Sequence, residues 1–205
     1  TRSCVAVMRE HSAAVSVIAF APKMANVLDD KGGVDERGQL LVSGSHDGAV
    51  KLWLVPSGER VLTLKCVDSD DGGGADQHPV TDLAWAPREV DGCLRLVAAS
   101  VTGALTLWHL ARVRRDDGCG LSIDVAKTIR VFGPGGGVAS VAFDAESRQL
   151  AIGSDAGDVT VWSACDGEVL RAPRRRHKKA INDLAFHPSG WQLVSGSADG
   201  VARVW

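Results

Sequence analysis

A thirteen-residue phrase recurs four times along this chain, and each copy closes on tryptophan. It reads LVSGSHDGAVKLW to Trp53, LVAASVTGALTLW to Trp108, LAIGSDAGDVTVW to Trp162 and LVSGSADGVARVW to Trp205. A repeat of fixed length decides the architecture before any single residue does. It also moves the question of function from one pocket to a surface made of repeated loops.

A second matching segment precedes each phrase: VSVIAFAP from Val15, VTDLAWAP from Val80, VASVAFDA from Val138 and INDLAFHP from Ile181. The first apolar residue of that segment lies 38, 28, 24 and 24 residues before its tryptophan, so repeats three and four are the compact form. Apolar and small residues alternate within short runs bounded by glycine and aspartate. Asp47-Gly48 and Asp199-Gly200 each stand between two such runs, which is a hairpin signal because glycine takes positive φ without a Cβ clash. No stretch shows helical spacing of apolar residues. A further strand is expected upstream in each unit, at Cys4–Met8, Arg60–Lys65, Ile123–Phe132 and Glu168–Arg171, giving outer strand, loop and three inner strands. Short strands in fours, repeating about every 40 residues, are the pattern of β-propeller blades.

The chain resembles the WD-repeat family over essentially its whole length, with repeats at 3–53, 59–108, 121–162 and 168–205 of a single 1–205 unit. The resemblance implies an all-β propeller of four-stranded antiparallel blades. The four repeats present are expected to form part of a larger ring of about seven blades. The alternative is a closed four-bladed ring in which Cys4–Met8 completes the Trp205 blade. The resemblance also implies a hydrogen-bonded tetrad inside a blade. Carried over by position, it comprises His11, Ser43, Asp47 and Trp53 in the first repeat, and His177, Ser195, Asp199 and Trp205 in the fourth. A buried indole N–H and a buried carboxylate need partners, and the tetrad members supply them to one another.

Repeats two and three depart from that pattern. Ala98 and Thr102 stand at the Ser and Asp positions of the second, and His78 comes two residues before Val80. The third has Ile152 and Ala156, Pro134 in place of histidine, and Asp155 one residue early. Trp108 and Trp162 are therefore expected to rest on apolar packing and backbone pairing alone. Leu54, His109 and Ser163 follow the first three tryptophans where the family often has aspartate.

Composition excludes several classes. With 23 basic and 25 acidic residues the chain carries no bulk attraction for nucleic acid. No apolar run reaches membrane-spanning length, and no signal peptide opens the chain. Cys4, Cys66, Cys93, Cys119 and Cys165 form no C-x-x-C pair and read as reduced packing residues of a cytoplasmic or nuclear protein. The six histidines are spread over separate loops without metal-ligand spacing. No nucleophile, base and orienting group are legible, so no catalysis, cofactor or metal is expected. The acidic stretch Asp68–Asp76 lacks calcium-loop spacing, with Gly72 at a ligand position. Gly133–Gly137 lacks the lysine and helix of a phosphate loop.

The expected function is a non-catalytic protein–protein interaction scaffold that displays loops for assembly of a multiprotein complex. In the family, one face is built by the loops into the innermost strands and by the tight turns. On that face lie Ala14, Ser16 and His46; Pro79, Thr81 and Val101; Gly137, Ala139 and Asp155; and Ala180, Asn182 and Ala198. Ser16, His46, Thr81, Asp155 and Asn182 are the candidate partner-binding positions among them. The sharpest charged feature is Arg174, Arg175, Arg176, His177, Lys178 and Lys179, placed in the loop before the fourth innermost strand. Its alternative reading is binding of nucleic acid or a phosphorylated or anionic partner; the plainer one is a solvated loop. The insertion 23–38 is polar and is expected on the opposite face.

Overall fold

A computed structural model of the chain describes residues 4–22, 39–66, 78–115, 118–132 and 136–205. The insertion 23–38, the acidic stretch 68–76, Pro134 and most of the glycine run 133–137 lie outside the described residues or are only partly within them.

Four antiparallel sheets follow one another along the chain. The first comprises β1 (Val15–Phe20), β2 (Gln39–Ser45), β3 (Ala49–Val55) and β4 (Arg60–Lys65), hydrogen-bonded in that order. The second comprises β5 (Val80–Trp85), β6 (Cys93–Ser100), β7 (Ala104–Arg115) and β8 (Gly118–Arg130). The third is β9 (Val138–Phe143), β10 (Gln149–Ser154), β11 (Asp158–Ser163) and β12 (Val169–Arg175). The fourth has three strands, β13 (Ile181–Phe186), β14 (Leu193–Ser197) and β15 (Ala202–Val204).

These sheets are propeller blades, and their pairing sets how sequence repeat and blade relate. The outer strand found upstream of each repeat pairs with the blade before it: Arg60–Lys65 is the fourth strand of the first sheet, and β12 that of the third. Sequence repeat and blade are thus offset by one strand. The second outer strand starts earlier than expected, because β7 and β8 continue pairing as far as Arg115 and Gly118. Cys4–Met8 forms no strand, and among the described residues it does not join the Trp205 sheet, so four-bladed closure through that segment is not what the topology shows.

The middle hairpin of each blade turns at one glycine. Gly48, Gly103, Gly157 and Gly200 have φ of 75°, 84°, 92° and 82°. A side chain in that region of φ is strained. At Gly157 it would also strike backbone, since a Cβ there would lie 2.6 Å from the His177 carbonyl oxygen.

Apolar residues fill the space between neighbouring blades. One cluster joins Val42, Val50 and Leu52 to Val80, Leu83, Leu96 and Trp108; a second joins Val97, Ala99 and Leu105 to Val138, Val141 and Ile152; a third joins Ala151, Val159 and Val161 to Ile181, Leu184 and Leu193. Each fully buried Val or Leu contributes roughly 1.5–3 kcal/mol. Polar stitches supplement the seams. Ser16 Oγ donates to the Val80 carbonyl at 2.7 Å, and Thr81 Oγ1 to the Val138 carbonyl at 2.7 Å. Asp82 Oδ2 accepts the Val141 N–H at 2.8 Å.

Candidate interaction face

In the first blade, Trp53 Nε1 donates to Ser43 Oγ at 2.8 Å, which lies 2.7 Å from His11 Nε2. His11 Nδ1 lies 3.0 Å from Asp47 Oδ2. An indole nitrogen can only donate, so the serine hydroxyl passes its proton toward Nε2, and a neutral imidazole protonated on Nδ1 satisfies every member. The fourth blade repeats the arrangement. Trp205 Nε1 to Ser195 Oγ is 2.9 Å, His177 Nε2 to Ser195 Oγ is 2.8 Å, and His177 Nδ1 to Asp199 Oδ2 is 3.1 Å.

Each network reaches the face through its carboxylate. Asp47 accepts the backbone N–H of Ser12 and of Ala49, both at 2.9 Å. Asp199 accepts those of Lys178 at 2.9 Å and Val201 at 3.0 Å. The loop before the innermost strand and the tight turn are thus tied to one charge. Burial raises the Asp47 pKa, but the Ala49 and Ser12 N–H groups and His11 outweigh it and lower the value to about 2. For Asp199 the Lys178 N–H leads, ahead of burial, and the result is again about 2.

Blades two and three are held differently, and one expectation is corrected here. Trp162 does have a side-chain partner: its Nε1 donates to Thr160 Oγ1 at 3.1 Å, and that hydroxyl donates to the Arg171 carbonyl at 2.7 Å. A hydroxyl two residues before the tryptophan replaces the missing serine, a signal that was present in the sequence. Asp155, one residue early, still does part of the loop-tying work, because its Oδ2 accepts the Gly137 N–H at 3.1 Å. In the second blade Thr102 Oγ1 pairs with Ser100 Oγ at 2.7 Å, and Trp108 is 1% exposed. Trp85 Nε1, Thr106 Oγ1 and His109 Nε2 are buried there without partners. Burial pushes the His109 pKa down, with the Arg95 charge acting in the same direction.

One main-chain bond recurs in all four blades and assembles the candidate face. The amides of His46, Val101, Asp155 and Ala198 donate to the carbonyls of Ala14, Pro79, Gly137 and Ala180, at 2.9, 3.2, 3.1 and 3.0 Å. Loop and turn positions expected on one face are thereby brought together pair by pair. His46, Val101, Asp155, Asn182 and Ala198 are exposed. Ser16 and Thr81 have their hydroxyls committed to the seams, and Thr81 is only partly exposed.

The basic run is divided by the fold. Arg174 and Arg175 belong to the end of β12, paired with Val159 and Asp158, and their side chains lie outside the described residues. Arg176, Lys178 and Lys179 are exposed in the loop, while His177, 2% exposed, turns inward to its tetrad. Among the described residues none of these three cations is in an ion pair. Among the described residues, also, no group of three His, Cys, Asp or Glu is placed to hold a metal ion, and no helix is long and apolar enough to cross a membrane.

Comparison with known proteins agrees with this geometry. The family model described as "WD domain, G-beta repeat" matches residues 2–53, 126–163 and 169–205, leaving out the second repeat, 59–108. The chain is 29% identical over 168 residues to human WD repeat-containing protein 90, covering 81% of this chain and 9% of that protein. It is 26% identical over 171 residues to the target of rapamycin complex subunit wat1 of Schizosaccharomyces pombe, covering 81% of this chain and 45% of that one. The chain therefore spans less than half the length of these relatives. Among solved structures it is similar to the computationally designed Ika4 protein, with a TM-score of 0.62 and 21% identity over 100% of this chain and 98% of that one.

Proposed function

Since the chain belongs to the WD40 repeat family, we propose that it is a non-catalytic interaction module that displays one face of its propeller for assembly of a multiprotein complex in the cytoplasm or nucleus. The observation that carries this reading is the recurring loop-to-turn bond, which holds four pairs of surface positions on a rigid scaffold without using their side chains. Rigid loops lose little entropy on binding, so partner contacts convert to affinity with small ordering cost. One of the similar proteins is itself named as the subunit of a complex, which is the same kind of role.

The test is affinity purification with quantitative mass spectrometry, comparing the chain with a variant carrying His46→Glu, Asn182→Arg and Ala198→Arg. These positions are exposed, so folding should survive, and circular dichroism verifies it. Partners enriched with the chain and depleted with the variant support the reading. An identical set from both would remove this face from consideration.

The second reading, an anionic partner, is favoured by the three exposed cations Arg176, Lys178 and Lys179. A phosphate-rich ligand releases counterions, so its binding should fall steeply with salt. Affinity that holds between low and physiological salt would count against it.

A further inference from the structure

Cys165, read from the sequence as a packing residue, is exposed. It sits in the turn 163–167 between β11 and β12, at the end of β11 opposite the Asp155 turn and so away from the candidate interaction face. Local hydrogen bonds hold this turn in place. The Gly167 N–H donates to the Ser163 carbonyl and the Ala164 N–H to the Arg148 carbonyl, both at 2.9 Å. The one acid of the turn, Asp166, accepts from Ser163 Oγ at 3.1 Å.

Two cations of the second blade reach across the seam to this turn. Arg95, on β6, donates from Nη1 to the Ala164 carbonyl at 3.1 Å and to Cys165 Sγ at 3.5 Å. Lys127, on β8, is exposed and donates from Nζ to the Asp166 carbonyl at 3.0 Å. Arg95 is the unusual member. It is 5% exposed, and its Nε has no hydrogen-bond partner. Among the described residues no carboxylate forms an ion pair with it. A guanidinium remains charged throughout the range in which proteins fold. A buried charge without a counter-charge is costly, so negative charge brought to its contacts is favoured. The carbonyl oxygen and the thiol it touches carry none.

We propose that Cys165 is a modification site for small acidic disulfides of the glutathione class, selected by the charges of Arg95 and Lys127. The Cys165 thiolate attacks one sulfur of the disulfide. A new S–S bond forms to that half and the original S–S bond breaks. The other half leaves as a thiolate and takes up the proton that Cys165 released. Cys165 is oxidised and the departing half is reduced, so the disulfide is the one co-reactant. The Arg95 N–H at Sγ stabilises negative charge on the attacking sulfur. Because Arg95 is buried, salt screens it less than it would a surface charge. Lys127, beside the same turn, attracts the carboxylates of the incoming disulfide.

The readout is peptide mass spectrometry of the 205-residue chain incubated with glutathione disulfide, following each cysteine over time. Cys4, also exposed, is the internal reference; its Sγ donates to the Ala6 carbonyl at 3.3 Å. A hydrogen bond from a charged donor is worth about tenfold in rate, so Cys165 should react about tenfold faster than Cys4. Arg95→Gln keeps a hydrogen-bond donor and removes the charge, and should bring Cys165 down to the rate of Cys4 while Cys4 itself is unchanged. Lys127→Gln, at an exposed position, should slow the same reaction. Cystamine, a disulfide with positively charged ends, tests the charges in the unaltered chain, where folding is not in question. The advantage of Cys165 over Cys4 should shrink with it. The proposal is overturned if Cys165 reacts with glutathione disulfide no faster than Cys4, or if cystamine gives the same or a larger advantage. It is also overturned if neither folded charge-removing variant slows the reaction.

Discussion

The two outer blades and the two inner ones satisfy the same buried tryptophan in different ways. In blades one and four a serine, a histidine and an aspartate form a chain from the indole to the surface loops. In blade three the indole turns to a threonine two residues away on its own strand. Blade two leaves Trp85 Nε1 and Thr106 Oγ1 without partners and encloses Trp108 almost completely. Apolar seams join each pair of consecutive blades. The same indole is thus satisfied by a network across strands in two blades and by a neighbour on its own strand in a third.

Removing the central imidazole should break that contrast most severely. His11→Ala or His177→Ala strands a carboxylate and a serine hydroxyl, and should cost about 3 kcal/mol in chemical unfolding. Asp47→Ala should cost about 2 kcal/mol, because backbone donors lose a charged acceptor, and Asp199→Ala should lower stability in the same direction. Losses equal to that of Thr102→Ala, which should stay within about 0.5 kcal/mol, would end the distinction between blades.

Acid makes the same comparison without mutation. Asp47 and Asp199 have folded pKa values of about 2, below the ordinary 3.8. Their stabilisation is fully present above the ordinary value and is lost as pH falls toward the folded one. Asp82, raised by burial, has the opposite sign, since protonation relieves its cost in the folded state. Indole resonances of Trp53 and Trp205 should therefore broaden or shift on acidification before that of Trp108. Simultaneous change of all three would contradict this assignment. At the smaller end, Thr160→Val should cost about 1 kcal/mol by leaving the Trp162 indole unpaired. A silent Thr160→Val would mean that blade three relies on its seams alone.

The complete networks were legible because serine, aspartate and tryptophan keep fixed spacing within one hairpin, and a hairpin is local in sequence. The substitute in blade three was missed because Thr160 answers the same need from a different position. Seam bonds such as Asp82 to Val141 and Arg95 Nη1 to the Ala164 carbonyl at 3.1 Å join residues far apart in the chain, and no spacing rule announces them. The basic run appeared as one patch because sequence does not show where a strand ends. The fold gives two of its arginines to β12 and turns its histidine inward.

The tie between each surface loop and its turn is made by an amide and a carbonyl, groups that every residue but proline carries in full. Nothing in that tie depends on which side chain stands at His46, Val101 or Ala198. Those positions form an alphabet that mutation can rewrite letter by letter while the page beneath stays flat. A lineage can change what such a surface recognises, and change it again, without having to relearn how to fold.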